Sequence, residues 1–158
     1  MKLGLWKEAK GSNKNYTFRL NSVTKSSRLH LFESSIDLLS YATLMKFKNL
    51  DFHKENLLSL AGVYKSKKDK QNLKKPQVLE KYLKENPIIT DIYLHLDNDE
   101  IGRVASKNLM QILSENYKVI DNPVPMGKDC NDYLCCVLRR NILNKNTQEK
   151  VKSDEKIL

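Results

Sequence analysis

The alternation of short apolar segments with segments of helical periodicity is the feature that most restricts how this chain folds. Four segments with strand character alternate with four of helical spacing: 29–33, 36–47, 56–61, 76–86, 88–96, 103–116, 117–120 and 132–140. A strand, a helix and a second strand in succession indicate parallel pairing through a right-handed crossover. We therefore predict an α/β domain with a central parallel sheet of about four strands and helices on both faces.

The chain has 158 residues, which is enough for one domain with its own core. We expect this domain to span residues 29–140 and to carry the catalytic or metal-binding groups. Residues 1–28 are polar and mixed, and we interpret them as the tail of a missing upstream region. Residues 141–158 are polar and are expected to form a flexible tail.

Basic residues outnumber acidic ones, with 28 lysines and arginines against 19 aspartates and glutamates, which gives a net charge of +9. This charge favours polyanionic partners such as DNA, RNA or nucleotides. Lysines are dense between residues 65 and 75, where a loop is predicted. The candidate nucleic-acid contacts are Lys65, Lys67, Lys68, Lys70, Lys74 and Lys75. A solvated loop without a partner is the alternative.

The first residues do not form a secretory signal, because charges interrupt the apolar residues at once. No run approaches the roughly 20 apolar residues that a bilayer-spanning helix needs. The three cysteines, Cys130, Cys135 and Cys136, lack Cys-x-x-Cys spacing, which indicates reduced thiols rather than disulfides or a zinc site. We expect a cytoplasmic protein with no membrane partner.

Acidic residues follow two of the predicted strands at the point where each strand ends. Glu33 ends the first strand, and Asp97 follows the segment 88–96, with Asp99 two residues later. Ligands bind outside the carboxyl ends of parallel strands, so these carboxylates are expected to meet there. Carboxylates, waters and phosphate oxygens are the ligands of Mg²⁺, and Mn²⁺ is an alternative ion. We therefore predict a metal site formed by Glu33, Asp97 and Asp99.

Four further residues are placed to support this site. They are Asp37, Gly102, Lys128 and Asp129. The glycine allows a tight chain path before the next helix, and the lysine would contact a phosphate or hold the acids in place. Helix capping is the alternative for the aspartates, because an acid near a helix N-terminus stabilises that helix.

Three motifs in this order resemble the TOPRIM domain of primases and topoisomerases, which has a Rossmann-like fold. They are Glu33 with Asp37, the segment 97–102, and the segment 127–129. The likeness covers roughly residues 10–140. It is closest to the primase-like proteins of plasmids and integrative mobile elements.

The resemblance implies a role for each matching acid. Glu33 would be the general acid/base, and Asp97 and Asp99 would be the pair that binds Mg²⁺. Asp37 and Asp129 match additional acids of primase-type members. The expected site therefore consists of carboxylates from three separate segments of the chain.

The function implied by the resemblance is primase-like, Mg²⁺-dependent nucleotidyl or phosphoryl transfer on DNA or RNA, in a module from a mobile element. A nuclease that uses the same acids is one alternative. A non-catalytic remnant or partner subunit that binds metal and nucleic acid is the other. Primases of this kind usually also need a zinc-binding module and a polymerase region. This sequence has no suitable set of cysteines and histidines for the zinc module, and residues 1–28 are too short for either. We therefore expect an upstream zinc-binding or polymerase region, or other replication proteins, as partners.

Overall fold

The computed structural model describes residues 11, 13, 15–61 and 74–154, with side chains described up to residue 143. These residues form five strands and four α-helices. The strands are β1 Arg19–Leu20, β2 Arg28–Phe32, β3 Asn56–Ser59, β4 Asp91–His95 and β5 Lys118–Asp121. The helices are α1 Ser35–Phe47, α2 Gln77–Glu85, α3 Glu100–Leu113 and α4 Cys130–Asp154, with a 3-10 turn at Phe52–Lys54.

The five strands form one sheet in the order β1-β3-β2-β4-β5. The central strand β2 pairs in parallel with β3 and with β4, so that Phe32 lies opposite both Ser59 and His95. β5 extends the sheet in parallel from β4. The predicted α/β fold with a mostly parallel sheet is confirmed.

One strand, β1, was not counted in the predicted sheet, although the alternation over residues 16–20 allowed a short strand there. It pairs antiparallel with β3, with Arg19 opposite Leu58, although its residues fall in the predicted extension 1–28. A two-residue strand is too short for its side-chain alternation to show which sheet it joins. The sheet therefore has five strands where about four were predicted.

The strand order places a crevice at the carboxyl edge of the sheet. β3 and β4 lie on opposite sides of β2, so the connections that leave β2 and β3 run to opposite halves of the sheet. Open α/β sheets bind ligands at such a reversal, outside the carboxyl ends of the strands. A ligand site is therefore expected at the ends of β2 and β4.

Helices cover both faces of the sheet, as predicted. On one face, Leu31 of β2 and Leu94 of β4 share an apolar core with residues of α2 and α3. On the other face, Phe32 packs with Leu38 of α1 and Cys130 of α4. The alternation of side chains along each strand divides the core in this way.

The last helix is longer than the sequence predicted. α4 runs from Cys130 to Asp154, where a helix over 132–140 and a flexible tail over 141–158 were expected. Residues 141–154 contain neither proline nor glycine, so they lack the residues that usually end a helix. No helix in the described part of the chain, this one included, is long and apolar enough to cross a bilayer.

The packing of α1 on the sheet gives a first test. Leu38 is fully buried, whereas the next residue, Leu39, is half-exposed. We expect Leu38→Ala to lower the free energy of unfolding by about 2–5 kcal/mol, the usual loss for a buried leucine. Urea unfolding followed by circular dichroism measures this change.

The matched control is Leu39→Ala, the same substitution one position along the same helix. It should cost less than about 1 kcal/mol, since far less apolar surface is lost from the core. Equal losses in the two variants would mean that α1 packs on the sheet through a different face.

Candidate active site at the carboxyl edge of the sheet

The ends of β2 and β4 bring Glu33 and Asp97 together. Glu33 directly follows β2, and its Oε1 accepts a hydrogen bond of 3.2 Å from the backbone N–H of Asp97. Asp97 is only 8% exposed. Burial, together with the nearby charge of Asp97, raises the pKa of Glu33 to about 7. A carboxyl group with a pKa near neutrality is suited to accept and donate protons at physiological pH.

The Lys128 side chain joins the two aspartates of the turn after β4. Its Nζ lies 2.9 Å from Oδ2 of Asp97 and 3.5 Å from Oδ2 of Asp99. The hydrogen bond to Asp97 and the two negative charges raise the pKa of Lys128 above its ordinary value, so its ammonium group is charged. Both carboxylates therefore reach one and the same cation.

Asp99 also caps helix α3. Its Oδ1 accepts a hydrogen bond of 2.9 Å from the backbone N–H of Gly102, which lowers its pKa. The cap starts α3 at Glu100, three residues before the predicted start. Capping and cation binding are compatible in Asp99, because Oδ1 faces the helix and Oδ2 faces Lys128.

Gly102 allows the helix to begin close to the end of β4. A Cβ atom at this position would lie 2.3 Å from the backbone carbonyl oxygen of Asp97. No real side chain is accommodated at that distance, and the opposing atom belongs to the backbone. Residue 102 must therefore be glycine for the turn 97–102 to keep this shape.

Arg103 holds the same turn, and the sequence analysis missed it. Its Nε donates to the Asp97 carbonyl at 2.9 Å and its Nη2 to the Leu96 carbonyl at 2.7 Å. Its Nη1 binds the Asp121 carboxylate at 2.9 Å. The sequence shows only an arginine on a helix, since these partners depend on the path of the turn.

Asn98 is a second residue that the sequence analysis missed. Its backbone N–H donates to the Lys128 carbonyl at 2.6 Å, and its side-chain amide donates to the Val124 carbonyl at 3.0 Å. The backbone N–H of Lys128 donates in turn to Asp132 at 3.2 Å. These bonds fix the loop that carries Lys128 against the turn that carries the aspartates.

Asp37 lies in the first turn of α1, and Asp129 directly precedes α4. Asp37 is buried, and it accepts hydrogen bonds from the Ser34 hydroxyl at 2.5 Å and the Asn131 N–H at 3.3 Å. Burial raises the pKa of Asp37. Asp129 accepts from the Asp132 N–H at 2.8 Å and so caps α4. The capping alternative therefore accounts for the contacts of Asp129, and Asp37 connects the two helices.

A cleft of about 440 Å³ opens in front of these residues. Five predicted residues line it: Glu33, Asp37, Asp97, Lys128 and Asp129. The remaining lining residues are Thr17, Phe18, Ser34, Ser35, Ser59 and Ala61. None was among the predicted site residues, although the sequence allowed base stacking by Phe18 as the alternative to packing. The cleft thus combines carboxylates, hydroxyl groups, a lysine and an aromatic ring.

The donors at this edge suit a hard divalent cation. Among the residues that the structure describes, no group of three or more histidine, cysteine or acidic side chains is arranged to hold a metal ion as it stands. However, Asp97 and Asp99 already converge on one ammonium group. Two carboxylates with room for waters and phosphate oxygens are the ligands that Mg²⁺ prefers. The residues therefore fit the predicted ion.

The predicted lysine contacts are only partly within the structure. Lys65, Lys67, Lys68 and Lys70 lie outside the described residues. Lys74 is exposed, and Nζ of Lys75 lies 5.9 Å from the ring centroid of Tyr117. Their contact with nucleic acid stays a prediction.

The close approach at Gly102 gives a second test. We expect Gly102→Ala to lower the free energy of unfolding by about 1–3 kcal/mol, the usual cost of forcing atoms into a filled space. Urea unfolding measures it. Val104→Ala is the control, because Val104 is exposed on the same turn of α3 and its loss should change stability by less than about 0.5 kcal/mol. A Gly102→Ala variant as stable as the wild type would contradict the close approach.

Two known proteins and one protein family resemble this chain. An uncharacterized protein of Bacillus anthracis, pXO2-78, is 36% identical over 121 residues, which are 72% of this chain and 30% of that protein. This chain thus spans about a third of the relative's length. The crystal structure of the primase fragment of the bacteriophage T7 primase-helicase protein matches with a TM-score of 0.46 and 21% identity, over 78% of this chain and 43% of that one. Residues 30–134, well over half of the chain, match the Toprim-like family, and the chain therefore belongs to that family.

Proposed function

We propose that this domain binds Mg²⁺ or Mn²⁺ and catalyses primase-like nucleotidyl or phosphoryl transfer on DNA or RNA, as one module of a larger replication system. The observation that carries the proposal is the convergence of Glu33, Asp97, Asp99 and Lys128 outside the central strands. Membership of the Toprim-like family supports the choice of ion. The origin in a mobile element and the upstream zinc-binding or polymerase partner remain predictions.

The residues take different parts in such a reaction. Asp97 and Asp99 would hold the ion, which neutralises negative charge on the transferring phosphoryl group. Glu33 would take the proton from the attacking hydroxyl group, a role that suits its pKa of about 7. Lys128 would contact a substrate phosphate, since its side chain is 52% exposed and lines the cleft.

Lys128 and a divalent ion would compete for the same carboxylate oxygens. The ammonium lies between Oδ2 of Asp97 and Oδ2 of Asp99, within 3.5 Å of both. An ion held by these oxygens would compete with the ammonium, and a displaced ammonium would be free to contact a phosphate. The proposal therefore predicts opposite effects on ion binding when the acids or the lysine are neutralised.

Calorimetric titration with Mn²⁺ and Mg²⁺ tests the metal site. We expect the double variant Asp97→Asn/Asp99→Asn to lose binding while it stays folded, because asparagine caps a helix as well as aspartate does. Lys128→Met should bind the ions about two- to fivefold more tightly, since a half-exposed ion pair contributes up to about 1 kcal/mol. Ion binding that is unchanged in the folded double variant would refute the proposed site.

Product formation on a single-stranded template, with ribo- and deoxynucleotides and partner replication proteins added, tests the reaction. Glu33→Gln should lower the rate by about 10²-fold or more, the usual contribution of a general base. Because Glu33 is also a predicted metal ligand, this variant should weaken ion binding as well, but less than the double variant does. The control is Glu115→Gln, an exposed acid just after α3. Shortened strands would indicate a nuclease instead. Salt-sensitive binding without any product would indicate a non-catalytic nucleic-acid-binding module.

A further inference from the structure

The segment before β1 forms one wall of the cleft. The Thr17 hydroxyl donates to the Ser59 carbonyl at 2.5 Å, and the Ser59 N–H donates to the Phe18 carbonyl at 3.0 Å. Ser59 ends β3 and lies opposite Phe32, the residue before Glu33. Two hydrogen bonds therefore hold Phe18 beside the end of β3, the strand next to β2, and both Phe18 and Glu33 line the cleft.

The Phe18 ring lies outside the packed interior. It is 43% exposed, and it belongs to neither of the two apolar clusters formed by the described residues. Apart from Ala61, the other residues that line the cleft carry hydroxyl groups, carboxylates or, in Lys128, an ammonium group. A half-exposed phenyl ring gains only part of the stabilisation of a buried one. It does, however, present an apolar surface to whatever enters the cleft.

We propose that Phe18 is the stacking surface for the nucleobase of a bound nucleotide, whose phosphates are bound at the acidic edge by Lys128 and the ion. This inference rests on the proposed function, and it adds the base-binding part of the same cleft. The cleft volume of about 440 Å³ lies within the range of about 300–1,000 Å³ that is usual for small-molecule sites. Aromatic side chains stack on every base through their π-faces.

Stacking of this kind predicts little selectivity among bases. Every base has a π-face, so one aromatic ring can stack on any of them. Phe18 would therefore bind any base, and pairing with a template would select which base is used. A template-directed transfer reaction needs a nucleotide site with this tolerance.

The test compares a nucleotide with a ligand that has phosphates and no base. ATP, CTP and inorganic tripolyphosphate are titrated into the Mg²⁺-loaded chain and followed by calorimetry. Phe18→Ala should weaken ATP and CTP about tenfold, the usual loss for one stacked base, and should leave tripolyphosphate unchanged. Phe18→Trp should retain nucleotide binding.

The matched control is Tyr16→Ala. Tyr16 is an exposed aromatic residue two positions earlier, its ring lies 4.0 Å from Nζ of Lys81, and it does not line the cleft. Its loss should leave the binding of ATP, CTP and tripolyphosphate unchanged. The fluorescence of 2-aminopurine nucleoside triphosphate gives a second readout of stacking. We expect this fluorescence to be quenched on binding to the wild type and to Tyr16→Ala, and the quenching to be lost in Phe18→Ala.

Three results would overturn the inference, and they can be told apart. Equal weakening of ATP and tripolyphosphate in Phe18→Ala would mean that the ring only maintains the shape of the cleft. Unchanged ATP binding in that variant, with tripolyphosphate still bound, would reject stacking and leave the proposed function intact. A wild-type chain that binds neither ligand in the presence of Mg²⁺ would remove the proposed function, and the inference with it.

Discussion

The turn from β4 into α3 depends on the Arg103 guanidinium, which binds two successive backbone carbonyls, those of Leu96 and Asp97. The same group pairs with Asp121 at the end of β5. Buried or half-buried carbonyls that lie beyond the last residue of a strand need such donors, because leaving them unpaired is costly. Asp97 and Asp99 are thus positioned by backbone geometry. The two carboxylates repel each other, but they stay close because Arg103 holds the backbone of the turn that carries them.

The charge balance of the site follows from this fixed geometry. Asp97 is buried, and Glu33 is half-buried and bonded to the Asp97 backbone, so both carboxylates are partly removed from water. Removal from water disfavours the charged form of an acid. The consequences are a pKa of about 7 for Glu33 and an ammonium group drawn between Asp97 and Asp99. Both are responses to negative charge that Lys128 only partly offsets, and a bound divalent cation would offset more of it.

The sequence predicted those parts of the structure that depend on local patterns. β2 and β4 lie in largely apolar segments that lead to acids. Their assignment as parallel strands followed from the alternation of strands and helices, and the position of Glu33 and Asp97 followed from the rule for ligand sites in parallel sheets. The family resemblance added the order of the motifs. The role assigned to each acid stays a prediction, as does the division of the chain into extension, domain and tail.

Other features depend on contacts between distant segments, which no single segment shows. The pairing of β1 with β3 spans about 40 residues of chain and involves two residues in each strand. Arg103 and Asn98 are ordinary residues in their local sequence, and they acquire a role only through the path of the turn and of the loop 122–128. α4 is longer than predicted for another reason. Its polar second half was interpreted as a flexible tail, but polar residues without glycine or proline also occur in helices.

The loop 122–128 connects these observations, because it is held to the end of β4 at its start, middle and end. The Asn122 N–H donates to the Leu94 carbonyl at 2.9 Å, and Asn98 donates to the carbonyls of Val124 and Lys128. The backbone of Lys128 is therefore fixed, whereas its side chain is half-exposed. A change in what the aspartates bind would then move only the tip of one lysine. A metal ion could then replace the ammonium group without any rearrangement of the fold. A site whose backbone is already in place before the ligand binds is preorganised.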